Sequence, residues 1–240
     1  MVVTEVKSKP NLDRLAGEGM RFTQFYNNAK CTTTRASLVT GLWPRRDGGL
    51  LKKNMVTFGE VLKEAGYRTA LSGKWHLGNS PDAHPYHRGF DEFYGLLSGC
   101  SNHFDPAMPD PDYKGGGVRS FGQNDERITT FPDDFYSTDA FTSHAIETIS
   151  RNVNEHPDQP LFQHITYTAP HYPLHAKPED IAKYQGKYMM GWDKMREQRY
   201  QRQIEMGLID PQRYKLSGED SRSYSWDTAN HEFEDHRMAV

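Results

Sequence analysis

Apolar positions recur along this chain with two different periods, and their alternation outlines the fold. Leu12, Leu15 and Ala16 follow Pro10-Asn11, with Asn11 suited to an N-cap and Gly19 to a stop, which predicts a first helix. Met20 to Tyr26 alternates and predicts a strand leading toward Cys31, after which a short helical run ends at Gly41. Thr57 and Glu60 have capping-box spacing. Behind them Phe58, Val61, Leu62 and Ala65 form a helical stripe closed by Gly66. Tyr67 to Ser72 reads as a short buried strand running into Gly73-Lys74-Trp75-His76. Residues 80–136 are rich in Pro, Gly, Asp and aromatic residues and predict long ordered loops. A helix is expected over 138–153, with Phe141, Ala145, Ile149 and Val153 on one face. Leu161 to Thr168, bounded by Pro160 and Pro170, is the clearest strand. This order predicts an α/β fold, a mostly parallel sheet sandwiched by helices.

Beyond Lys177 the pattern turns polar. Arg196, Arg199, Arg202 and Arg213 alternate with Glu197, Glu205 and Asp210, and mixed signs favour a solvated amphipathic helix over a basic groove. Residues 217–237 read as a polar surface loop.

Composition narrows the classes. At 240 residues the chain is long enough for one large domain, and no compositional break asks for two. A net charge of −3 argues against nucleic acid or an anionic membrane surface as a partner. Two cysteines, Cys31 and Cys100, cannot make a disulfide framework, and Cys100 reads as structural. No run approaches the roughly 18 apolar residues of a membrane span, and the first residues lack the basic start and apolar stretch of a signal peptide. A hydrophobic content of 35% is low, most of all beyond residue 175, as expected of a chain that holds only part of a core.

Candidate chemistry gathers at three places. Cys31 stands at the start of a helical run with Arg35 one turn on, along the same face. There a side chain meets the positive end of the helix dipole and unpaired backbone N–H groups, so a sulfur, a fixed cation and donors converge as an anion site. The second place is Gly73-Lys74-Trp75-His76-Leu77-Gly78, at a strand end, where ligands of open α/β sheets collect. In extended backbone Lys74 and His76 project the same way and would clamp a tetrahedral oxyanion beside Cys31. The third is Thr168-Ala169-Pro170-His171-Tyr172-Pro173, where flanking prolines hold an imidazole suited to general acid work. His175 reads as structural, and His84, His87 and His103 as loop packing or substrate-rim residues.

Residues 31–41, Cys-Thr-Thr-Thr-Arg-Ala-Ser-Leu-Val-Thr-Gly, resemble the sulfatase signature Cys-x-Pro-Ser-Arg with its following Thr-Gly. Gly73–Gly78, preceded by Gly66-Tyr67-Arg68-Thr69, resembles the second signature of that family. Pro10–Leu15, Asn27-Asn28-Ala29, Gly89–Gly95 and the His171 segment match in the same order. From about residue 10 onward the chain therefore resembles the type I, formylglycine-dependent sulfatases of the alkaline-phosphatase-like fold, bacterial arylsulfatase-type members most of all.

That resemblance implies sulfate-ester hydrolysis. Cys31 would be oxidised to formylglycine by a maturation enzyme and, hydrated, would attack the sulfur. His171 would protonate the departing alcohol and His76 assist release of sulfate. Lys74, Arg35 and a Ca²⁺ ion would neutralise the sulfuryl oxygens. Sulfated small molecules or carbohydrates are the implied substrates, and a periplasmic or secreted location the implied address. The family's calcium site takes an Asp-Asp pair ahead of the Pro-Asn-Leu-Asp-Arg-Leu segment and a later Asp-Asn, neither of which is present. Asp133-Asp134 reads as surface and helix-start charge instead. Residues 1–240 are thus expected to be the central portion of one catalytic domain, incomplete at both ends, with no metal ligand assigned apart from the matured Cys31. Thr33 stands where the maturation motif carries Pro or Ala. Alternative readings are a phosphodiesterase or phosphonate hydrolase of the same fold, and an inactive fragment or anion-binding protein that keeps the site without turnover.

Overall fold

The structure, a computed structural model, describes residues 10–43, 49–218 and 225–240. In chain order its helices are α1 (Pro10–Glu18), α2 (Cys31–Thr40), α3 (Phe58–Glu64), α4 (Ser137–Glu155), α5 (Pro178–Tyr184), α6 (Trp192–Glu205) and α7 (His231–Ala239). The strands are β1 (Arg68–Gly73), β2 (Glu92–Leu96), β3 (Phe121–Gln123), β4 (Glu126–Ile128) and β5 (Leu161–Thr166). These elements form two compact units, one of residues 27–175 and one of 1–26 with 176–240.

The first unit is built on a five-stranded sheet in the order β4-β3-β2-β1-β5. β1 runs parallel to both neighbours, with Leu71 opposite Phe93 and His164. β2–β3 and β3–β4 are antiparallel. The expected α/β sheet is present, but it is mixed rather than mostly parallel. The difference arises within 80–136, expected to be loops, which supply β2 and the β3–β4 hairpin. Those strands are only three to five residues long, too short for a period to register.

Alternation along β1 and β2 separates two cores. Leu71 and Phe93 face a cluster with Ala36, Val39, Leu51, Trp75, Leu77 and Phe90, onto which Phe58 packs. Tyr94 and Leu96 join Phe121, Phe135 and Phe141 in the other. The capping box of Thr57 and Glu60 is formed in both directions, and it anchors α3 over the first cluster. α4 covers the second, but its buried face is Phe141, Ala145, Thr148 and Asn152. Ile149 and Val153, expected on that face, are exposed. The sheet beneath α4 is partly polar: Ser72 Oγ lies 2.7 Å from His144 Nδ1 and accepts from Gln163 Nε2 at 2.9 Å.

In the other unit, α1 forms as expected but leaves Leu12 and Leu15 exposed. Met20–Tyr26, expected as a strand, has no strand geometry, and both its ends are more than 80% exposed. Alternation there meets no ladder partner among the described residues. The charged stretch forms two helices, α5 and α6, the latter with no buried residue. Residues 217–237 were expected to be a loop. Asn230 instead caps α7, accepting from Phe233 N at 3.2 Å, while Trp226 stacks on His231 at 4.6 Å between centroids. Residues 219–224 lie outside the described part. No helix of the described residues is long and apolar enough to cross a membrane.

Candidate active site

Cys31 is the first residue of α2, and the first helical hydrogen bond runs from Thr34 N to Lys30 O at 3.0 Å. The N–H groups ahead of Thr34 therefore point out of the helix start, where partial positive charge accumulates. Asn28 holds this start in place, donating from Nδ2 to Thr33 O and Ser37 Oγ, each at 3.2 Å. Thr33 Oγ1 donates to Lys30 O at 2.9 Å. The helix ends as expected at Gly41, whose φ of 69° is left-handed and whose N–H donates to Ser37 O.

The strand-end motif comes to meet this helix. β1 stops at Gly73, where φ is 122° and an added Cβ would lie 2.0 Å from Thr166 O, so glycine alone fits. Lys74 N donates to that same Thr166 oxygen at 2.7 Å. Trp75 and His76 then donate to Leu96 O and Leu97 O at 2.8 and 3.2 Å. His76 has a φ of 60°, in the left-handed region that non-glycine residues seldom enter. This turn carries its ring to Cys31: Nδ1 stands 3.3 Å from Sγ. On the other side of the ring is Gly99, where a Cβ would lie 2.4 Å from Cε1.

Arg35 joins the two segments, its Nη1 donating to Lys74 O at 2.6 Å. Burial lowers the affinity of this guanidinium for its proton while the nearby Cys31 raises it. Lys74 is 2% exposed; burial and Arg35 push its ammonium down, and Cys31 and Cys100 hold it up. His76 is brought down to about 4 by burial first, then by Lys74, Arg35, His171 and Lys30. It is therefore a neutral imidazole at pH 7, able to take a proton. Cations around a helix start, with one neutral base, make a site for a tetrahedral anion.

Cys31, Arg35, Lys74 and His76 thus converge. His171 stands further out, exposed in the turn after β5, between cis peptide bonds at Ala169–Pro170 and Tyr172–Pro173. Its N–H donates to Thr168 O at 3.0 Å, and its Nδ1 lies 2.7 Å from Tyr172 O. A carbonyl oxygen only accepts, so Nδ1 carries hydrogen and Nε2 is left for proton exchange. Its charge reaches His76 and His103. Asp133 and Asp134 are exposed ahead of α4, as expected of surface charge.

Sequence reasoning passed over three contributors. Thr166 Oγ1 donates to Lys74 O at 2.7 Å, a link that requires knowing β5 pairs with β1. Gly99 makes room for His76, which only the packing reveals. His164, lowered to about 4 by burial and Arg35, lines a cavity of about 550 Å³ together with Asn28, Cys31, Arg35, Trp75 and Thr166.

Residues 4–228 match the profile of one protein family, described as Sulfatase. The chain belongs to the sulfatase family. An uncharacterised sulfatase of Schizosaccharomyces pombe is 34% identical over 96% of this chain and 46% of its own length. An arylsulfatase of Klebsiella aerogenes is 34% identical over 83% of this chain and again 46% of that protein. The chain thus spans about half the length of these relatives. Among solved structures, Ps i-CgsB is 32% identical, with a TM-score of 0.60 over 75% of this chain and 43% of that one. The PsFucS1 sulfatase from Pseudoalteromonas sp. is 27% identical, with a TM-score of 0.59 over 74% of this chain and 41% of that one. The alkaline-phosphatase-like α/β fold expected from the sequence is the fold this sulfatase chain shares with them.

Sulfatases generally use a formylglycine and a divalent metal. Cys31 suits the first, as an accessible thiol at a helix start beside an imidazole. The second does not fit the described residues: no carboxylate lines the cavity beside Cys31, and hard divalent cations take oxygen ligands, chiefly carboxylates.

Proposed function

We propose that this chain carries the site of a sulfatase that hydrolyses sulfate esters, with Cys31 matured to formylglycine. The observation that supports this reading best is the 3.3 Å approach of Cys31 Sγ to a neutral His76 at a helix start, between the cations of Arg35 and Lys74. Formylglycine, as its hydrate, supplies the nucleophilic oxygen and a second hydroxyl.

The chain's own residues do the rest. Arg35 and Lys74 hold the sulfuryl oxygens and offset the charge that builds there in the transition state. Their preorganisation makes each contact worth about 3 kcal/mol, or roughly a hundredfold in rate. The α2 N–H groups add donors on the same side. His76, neutral at pH 7, accepts the proton that must leave for sulfate to be expelled. His171, protonated at Nε2, gives a proton to the departing alcohol. Ca²⁺ is the cation the resemblance implies, and no step here passes through it, because the described residues do not provide its ligands.

A sulfated carbohydrate is the substrate class proposed. Its support is a solved relative, Ps i-CgsB, in complex with k-i-k-neocarrahexaose, 32% identical with a TM-score of 0.52. Maturation requires a formylglycine-generating enzyme as partner, and export follows the habit of the family. The test is turnover by the protein produced beside that enzyme. A sulfate monoester should be hydrolysed, and a phosphate diester far more slowly. Preferred hydrolysis of the diester would assign the site to phosphodiester chemistry, and tight sulfate binding without turnover would make it a binding site.

A further inference from the structure

We propose that His84, His87 and Asp125 form a second site in the sheet-containing unit, one that binds a borderline divalent transition metal such as Zn²⁺. One ligand atom from each lies within 4.8 Å of the others, the only such trio of His, Cys, Asp or Glu among the described residues. Two imidazoles and a carboxylate are the donor set that Zn²⁺ and its neighbours prefer, with positions left for water.

The chain builds this trio from two separate places. Residues Pro85–His87 form a single 3₁₀ turn capped by His84. At three residues per turn, positions 84 and 87 fall on one side, and the two ring centroids are 5.8 Å apart. The turn is clamped from behind by Arg88, which is 4% exposed and bonded to Glu60, Met55 O and Asp82 O. His84 is itself buried, its ring set edge-on to Phe93 at 5.6 Å. Its Nδ1 takes only a long 3.4 Å contact from Tyr86 N, so little holds the ring in one tautomer. Burial lowers its affinity for a proton, the proton that would compete with a metal for the ring.

Asp125 comes from the tip of the β3–β4 hairpin. That tip is pinned to β2 by two bonds, Asn124 N to Phe93 O at 2.7 Å and Phe93 N to Asn124 Oδ1 at 3.0 Å. Asp125 Oδ1 then lies 2.9 Å from His87 Nε2. An exposed ion pair alone would account for His87 and Asp125. It would not account for a buried third imidazole set within ligating distance of both. The trio also stands at the amino end of β2, beside Phe93, whereas His76 is bonded past the other end of that strand at Leu97. It is therefore separate from the Cys31 site. A metal there would staple the 3₁₀ turn to the hairpin and stabilise the antiparallel half of the sheet.

The test is calorimetric titration of the full chain with ZnCl₂ after stripping with chelator, alongside His87→Ala, Asp125→Asn and Cys31→Ser. One saturable equivalent is expected for the unaltered protein and for Cys31→Ser. Each of the other two variants should bind at least about tenfold more weakly. Zinc should also raise the melting temperature of the unaltered protein and leave that of His87→Ala unmoved. His87 and Asp125 are exposed, so both variants should keep the fold, which circular dichroism checks. No saturable uptake, or uptake undiminished in both variants, would overturn the proposal.

Discussion

Arg35 Nη1 donates a 2.6 Å hydrogen bond to the carbonyl oxygen of Lys74, tying the helix that begins at Cys31 to the strand end that bears Lys74 and His76. The same oxygen accepts from Thr166 Oγ1 at 2.7 Å. Three segments distant in sequence thus meet on one carbonyl, and Arg35 both places the site and charges it. A lysine keeps the charge but lacks the planar fork that reaches the carbonyl while facing an anion. Arg35→Lys should therefore lower kcat/KM for a sulfate ester by about a hundredfold, the effect of removing one preorganised contact. Kinetics within about twofold of the unaltered protein would show that charge alone suffices.

Much of this site was legible because its parts are short and local. The stop at Gly41 and the turn beginning at Gly73 each follow from one residue's conformational range. The two-way Thr57–Glu60 box is likewise a local pattern. What escaped depends on distant partners. Ile149 and Val153 have helical spacing with Phe141, yet the sheet lies under Thr148 and Asn152, so a polar stripe is the buried one. Met20–Tyr26 alternates with no strand to pair with among the described residues, and β2 to β4 pair although each is too short for its period to stand out in the sequence. Gly99 looks like any loop glycine until the His76 ring is placed against it.

That glycine gives a second prediction. A methyl group at position 99 would sit 2.4 Å from His76 Cε1, so the ring must leave its present position against Cys31. A displacement near 1 Å can cost about a hundredfold in rate. Gly99→Ala should thus cut kcat strongly, with a smaller effect on melting temperature. Unchanged kcat would mean that the 3.3 Å approach of His76 to Cys31 does not matter to turnover.

Stability should depend on pH in a defined window. His76, His103 and His164 are each lowered from 6.5 to about 4 in the folded chain, burial being the first cause for all three. Below pH 6.5 the unfolded chain binds protons on these rings that the folded chain does not, so stability is full above that value and falls toward pH 4. Denaturant unfolding at a series of pH values checks this. His164→Gln should flatten the slope between 6.5 and 4, and a slope that it leaves unchanged would remove His164 from the account.

The role given to His171 predicts a dependence on leaving group. His171→Ala should slow esters of poorly acidic alcohols far more than 4-nitrophenyl sulfate, whose phenolate leaves without a proton. Lys74→Ala should slow both alike, because the sulfuryl group is common to them. Equal losses across leaving groups for His171→Ala would take the acid role from it.

The central claim, that Cys31 carries the chemistry, is tested most directly by peptide mass spectrometry of protein produced beside a formylglycine-generating enzyme. Thr33 precedes the first helical hydrogen bond, so the ladder of α2 does not use its N–H. The expected result is an aldehyde at position 31 that a hydrazine reagent captures, in the unaltered protein as well as in Thr33→Pro. A free thiol at position 31 in both proteins, with a control substrate fully converted in the same cells, would contradict it.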